Sequence, residues 1–133
     1  MDLSEARELV LGLPRLLGSA RRVRIYDQRG PMAPPRKRRD WGESSLLADV
    51  TYVPAVAAFA EALRVRADTE FMDWMEHPGL WLVFDGADGR PLVRLGLLGT
   101  EWLRWGSRGD VQLASPDTLR SVLSAWVGPG GAQ

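Results

Sequence analysis

Between Leu80 and Val127, apolar runs alternate with turn residues in a way that leaves few architectures open. Leu80-Trp81-Leu82-Val83-Phe84 is an apolar run, Asp85-Gly86-Ala87-Asp88-Gly89 supplies turn chemistry, and Leu92 to Leu98 is the return. A glycine able to adopt positive φ between two such runs predicts a β-hairpin, with Gly89 left-handed. From Glu101 to Trp105 the pattern alternates again, placing Trp102 and Arg104 on one face and Leu103 and Trp105 on the other. Gly106 to Gly109 turns the chain, and Val111 and Leu113 mark a last short strand. Ser115-Pro116-Asp117 then opens a helix with an N-cap, a first-turn proline and an acid favoured by the helix dipole. Leu119, Val122, Leu123, Trp126 and Val127 form its apolar stripe, and Gly128-Pro129 ends it.

Upstream, Asp2 to about Leu17 has a helical period, with Asp2 and Glu5 resembling a capping box. Leu3, Ala6, Leu9, Val10, Leu13 and Leu17 share one face, while Gly12 and Pro14 predict a kink or an early stop. Arg22 to Asp27 alternates as a half-buried strand, with Val23 and Ile25 inward. Gln28 to Ser45 holds Pro31, Pro34 and Pro35, followed by Arg36-Lys37-Arg38-Arg39 and Trp41. Adjacent prolines and consecutive cations oppose both helix and core burial, so this stretch is expected to be a flexible basic loop. Leu47 to Val53 reads as a strand and Pro54 to about Arg64 as a helix with Val56, Phe59, Ala60 and Leu63 inward. Thr69 to Met75 fits strand alternation better than a helix face. The expected fold is α+β: one domain over residues 1–133, with a mostly antiparallel sheet of about five to six strands, helices mainly on one face, and a frayed tail at 128–133.

Composition narrows the chemistry. The chain has no cysteine, which excludes disulfides, thiolate metal sites and cysteine nucleophiles. His77 is the single histidine, so a two-histidine metal site cannot form within one chain. Formal net charge is zero, which weakens long-range steering toward nucleic acid or an anionic membrane. The start, Met1-Asp2-Leu3-Ser4-Glu5, lacks the basic and apolar character of a signal peptide, and no run of apolar residues is long enough to span a bilayer. A cytoplasmic protein is therefore expected. Arginine far outnumbers lysine (Lys37 stands alone), which fits the coding bias of a GC-rich bacterial genome.

Six tryptophans are the compositional outlier, and packing in or beside the core is the expected role for most of them. A pair exposed side by side would instead mark a working face. Asp73, Glu76 and His77 could gather two carboxylates and an imidazole if they were helical, but Pro78 disfavours helical geometry at His77. Asp85 to Gly89 departs from the spacing of an EF-hand loop and is explained by the hairpin turn. The glycines form no phosphate-cradling motif, and Ser44, Ser45 and Ser107 lie in no nucleophile elbow. No catalytic residue, metal site or cofactor is expected.

Asp88-Gly89-Arg90, Leu95-Gly96, Trp102-Leu103-Arg104-Trp105, Gly109-Asp110 and Leu119 followed by Trp126 together resemble small actinobacterial proteins of no assigned activity. The likeness covers about a third of the chain and implies no functional residue. The expected function is a small non-enzymatic protein-binding module, an accessory or immunity-like factor. Its partner surface would use Arg36, Lys37, Arg38, Arg39 and Trp41 with Trp102 and Arg104. Two alternatives stay open. One is nucleic-acid association through Arg36 to Arg39 and Trp41; the other is an enzyme acting through Asp73, Glu76 and His77.

Overall fold

Alternation of period two dominates the chain and produces a sheet. The computed structural model describes residues 3–28, 30, 45–106 and 109–127. Its elements run α1 (Leu3–Leu17), β1 (Arg22–Tyr26), β2 (Leu46–Val50), α2 (Val53–Ala62), β3 (Phe71–Met72), β4 (Leu80–Asp85), β5 (Pro91–Leu98), β6 (Trp102–Arg104), β7 (Asp110–Gln112) and α3 (Pro116–Val127). The strands form one seven-stranded sheet in the order β2-β1-β4-β5-β6-β7-β3, antiparallel at every neighbouring pair. The class is α+β, with one strand more than the upper end of the expected range. The stretch Thr69–Met75 contributes only Phe71 and Met72, because Phe71↔Val111 and Met72↔Asp110 are the only pairs it makes with β7.

Register decides which side chains meet the helices. Val23 stands opposite Phe84 and Ile25 opposite Leu82, while Leu82, Phe84 and Leu80 face Leu95, Val93 and Leu97 in turn. Leu97 continues to Leu103 and Leu103 to Val111, so one face of the sheet is apolar from β1 to β7. Leu13 and Leu17 of α1, Val56 and Phe59 of α2, and Leu119 and Leu123 of α3 join these residues in a single buried cluster. Phe59 sits near its centre, tilted against Phe84 at 6.0 Å and stacked on Trp126 at 5.0 Å. Each such side chain contributes roughly 1.5–3 kcal/mol by leaving water. All three helices thus lie on one side, and the opposite side of the sheet carries no helix among the described residues.

The local signals act largely as the sequence suggests. In the β4–β5 hairpin Gly89 takes φ 79°, and the turn closes through Gly86 N to Arg90 O at 2.9 Å. Helix α3 starts at Pro116, with Leu119 N bonded to the Ser115 carbonyl. Two details differ. Helix α1 runs unbroken through Gly12 and Pro14, since Pro14 lies in the last turn and forfeits a single backbone bond there. Helix α2 begins at Val53, one residue before Pro54, and strand β2 correspondingly ends at Val50.

The tryptophans depart most from expectation. The fully buried side chains are aliphatic or phenylalanine, with Phe59 and Phe84 the largest. Trp105 and Trp126 pack partly buried against the core. Trp74, Trp81 and Trp102 instead belong to the face opposite the helices, as shown below.

Candidate functional site

The face opposite the helices is tiled by ion pairs that join neighbouring strands. Arg22 of β1 donates through Nε to Asp49 of β2 at 2.7 Å. Arg24 of β1 grips Asp85 of β4 with two bonds of 2.9 Å and also donates to the Tyr26 hydroxyl. Arg104 of β6 grips Asp110 of β7 at 2.8 and 3.0 Å. Both Asp85 and Asp110 are 1% exposed, so each pair sits in a poorly solvated site, and removing either carboxylate would strand a guanidinium. The hydrogen bonds that Arg24 and Arg104 donate to Asp85 and Asp110 raise both arginines above the ordinary arginine value. The bond from Arg22 holds the Asp49 carboxyl below its ordinary value.

Residues 73–79 cross this face as a strap. Strand β3 is at one edge and β4 lies near the centre, so the connection must pass over β7, β6 and β5. Its anchors follow that path. Trp74 N donates to Asp110 Oδ2 at 3.1 Å, and the Trp74 ring meets Trp102 edge-on at 5.4 Å. Arg104 donates to the Glu76 carbonyl at 2.7 Å. Pro78 then lies against Gly96, where a Cβ would come within 2.7 Å of the proline ring. Met75, at the outermost point, is 89% exposed with φ 55°. Among the described residues it is the single non-glycine at positive φ, a conformation that costs an ordinary residue about 1–2 kcal/mol.

A second anchor lies beside the strap. His77 Nε2 meets the Gln28 carbonyl, and its ring stands edge-on to Trp81 at 6.1 Å. Gly30 backs onto the same indole, with space for no Cβ (2.9 Å to the ring), and accepts a bond from the Ser45 hydroxyl. Asp27 N bonds the Ser45 carbonyl, so the chain departs after Gly30 and returns at Ser45 next to one another. On the other side of Trp81, the Arg94 guanidinium lies 4.3 Å from the ring centroid.

Trp102 and Arg104 do share the face that alternation assigns them, but Arg104 is committed to Asp110 and Glu76. Arg36, Lys37, Arg38, Arg39 and Trp41 lie outside the described residues, as does the tail 128–133. Asp73, Glu76 and His77 belong to the irregular strap, all exposed, and no group of acids and histidine suited to a metal ion occurs among the described residues. A groove of about 360 Å³ runs past Trp102 between Arg66, Gln112 and Pro116, but its one cation, Arg66, is paired with Asp68. Sequence reasoning missed Trp81 with Arg94 and the role of Asp110. A usable signal existed: a hairpin centred on Gly86–Gly89 sets Val83 opposite Arg94 and so brings Trp81 and Arg94 to one face.

No helix among the described residues is long and apolar enough to cross a membrane. Set against known protein families, curated proteins and solved structures, the chain finds no match.

Proposed function

We infer that this protein is a small non-enzymatic binding module that docks another protein, as an accessory or immunity-like factor in a bacterial cytoplasm. The observation that carries this reading is the side-by-side pair Trp74 and Trp102, with Trp74 41% exposed, on a sheet face that bears no helix among the described residues. Tryptophan and arginine dominate the energetics of protein interfaces, and this face offers Trp74, Trp81 and Trp102 with Arg94. The strap that presents Trp74 is held by its hydrogen bonds to the paired Asp110 and Arg104, so little ordering cost is left for the binding step. Expressed as bait in its source cells, the wild-type chain should retain a protein that the doubly substituted Trp74→Ala, Trp102→Ala chain releases. Equal retention by both chains, with melting temperatures matched, would refute the assignment to this face.

A second reading is nucleic-acid association through Arg36, Lys37, Arg38, Arg39 and Trp41. It is favoured by the packing of Gly30 against Trp81, since the segment that carries those cations leaves the described fold at Gly30, beside an indole and a guanidinium. Oligonucleotide affinity that falls steeply with salt and disappears when the four cations become alanine would support it. Affinity indifferent to both would dispose of it.

A further inference from the structure

Four arginines project from the strands on the face opposite the helices: Arg22, Arg24, Arg94 and Arg104. Three of them are neutralised by Asp49, Asp85 and Asp110. Arg94 has no carboxylate and no hydrogen-bond partner among the described residues; its one contact is the face of Trp81. We propose that Arg94, stacked on Trp81, is the recognition point for a carboxylate on the partner, and that the partner segment docking here is a peptide stretch carrying one acidic side chain among uncharged residues. This rests on the reading that the protein binds another protein.

The chemistry follows from the stacking. A guanidinium lying over an indole keeps its planar edge of N–H donors directed away from the ring, and that fork matches the two oxygens of a carboxylate. Stacking also fixes the side chain before binding, so less rotamer entropy is lost when the ligand arrives. Trp81 is itself fixed, with His77 edge-on to it and Gly30 behind it. Two other cations lie across the sheet from Arg94, Arg24 in the same row through Val83 and Arg104 opposite Gly96, and both are already committed, to Asp85 and Asp110. Among the described residues, one uncompensated guanidinium preorganised on an aromatic floor is therefore what the strands of this face offer.

Charge balance selects a peptide over a nucleic-acid strand. The chain as a whole is neutral, and Asp73 and Glu76 stand exposed on the strap that crosses the same face. A phosphate at every nucleotide would be repelled there, whereas a carboxylate set among uncharged residues meets Arg94 alone. The exposed Trp74 and Met75 on the strap offer apolar surface to the neighbouring side chains of such a peptide.

The test uses the full chain and three probes: a capped ten-residue serine peptide with one central glutamate, its glutamine counterpart, and a ten-nucleotide oligothymidylate. Affinities are read by fluorescence anisotropy for the wild type, Arg94→Gln and Arg94→Lys, both of which retain the aliphatic stem of an exposed residue and keep the fold. The glutamate peptide should bind the wild type at least tenfold more tightly than the glutamine peptide does. Arg94→Gln should lose at least tenfold for the glutamate peptide. Arg94→Lys should lose nearly as much, because an ammonium neither forks nor stacks. Wild-type affinity in Arg94→Gln would overturn the proposal while leaving protein binding through Trp74 and Trp102 intact. Failure of the wild type to prefer glutamate over glutamine, or tighter Arg94-dependent binding of oligothymidylate, would overturn it as well.

Discussion

Gly96 lies under Pro78 at the point where the strap passes over β5, and the two are closer than any side chain would allow. A Cβ at position 96 would stand 2.7 Å from Pro78 Cγ, 3.0 Å from Pro78 Cβ and 3.2 Å from Trp81. None of these is the tip of a long flexible side chain, so the strap itself would have to move. Gly96→Ala should therefore destabilise the protein by about 1–3 kcal/mol, read from urea unfolding. It should also weaken any ligand that uses Trp74 or Trp81. The charged pairs on this face have a pH signature. Folding lowers Asp49 because Arg22 donates to it, so the pair contributes stability above the ordinary carboxylate value of about 3.9 and loses it as pH falls through the lowered one. Arg22 and Asp49 are both well hydrated, so the contribution is small. Asp49→Asn should lower the melting temperature slightly at neutral pH and make its decline from about pH 5 to about pH 2 shallower than in the wild type.

Elements differ in how plainly the sequence announces them. The β4–β5 hairpin and α3 are legible because every signal agrees: apolar runs of the right length, turn residues between, and a proline and acid at the helix start. Strand β3 was overestimated because Thr69, Phe71, Asp73 and Met75 alternate, yet Asp110 takes the Trp74 amide and turns the chain off the sheet after Met72. Helix α1 shows the opposite case, where Gly12 and Pro14 suggest an interruption that burial of Leu13 and Leu17 overrides. Gly12 sits mid-helix with open space where a Cβ would go. Gly12→Ala should accordingly stabilise the fold by about 0.5–1 kcal/mol, seen as a higher denaturation midpoint with unchanged slope.

At the scale of the molecule, the sheet divides labour between its two faces. The helix side is a conventional core around Phe59, legible from apolar periodicity alone. The other side was not, because the run Leu80–Phe84 is apolar at every position and hides the fact that Trp81 and Val83 point away from the helices. Its chemistry also depends on residues far apart in sequence. Arg24 and Asp85 are separated by 61 positions, and the strap crosses three strands before rejoining the sheet. Only tertiary pairing shows that, among the described residues, three strand arginines of this face are neutralised and Arg94 is left over. The face opposite the helices is thus the surface on which the proposed binding is expected to occur, and the tryptophans are natural reporters of it. The decisive measurement is a titration of the isotopically labelled protein with the glutamate–serine peptide, following the indole N–H resonances. Signals of Trp74, Trp81 and Trp102 should move together while those of Trp105 and Trp126, packed against the core, stay in place. Shifts confined to Trp105 and Trp126 would place the binding surface on the helical side and contradict the assignment.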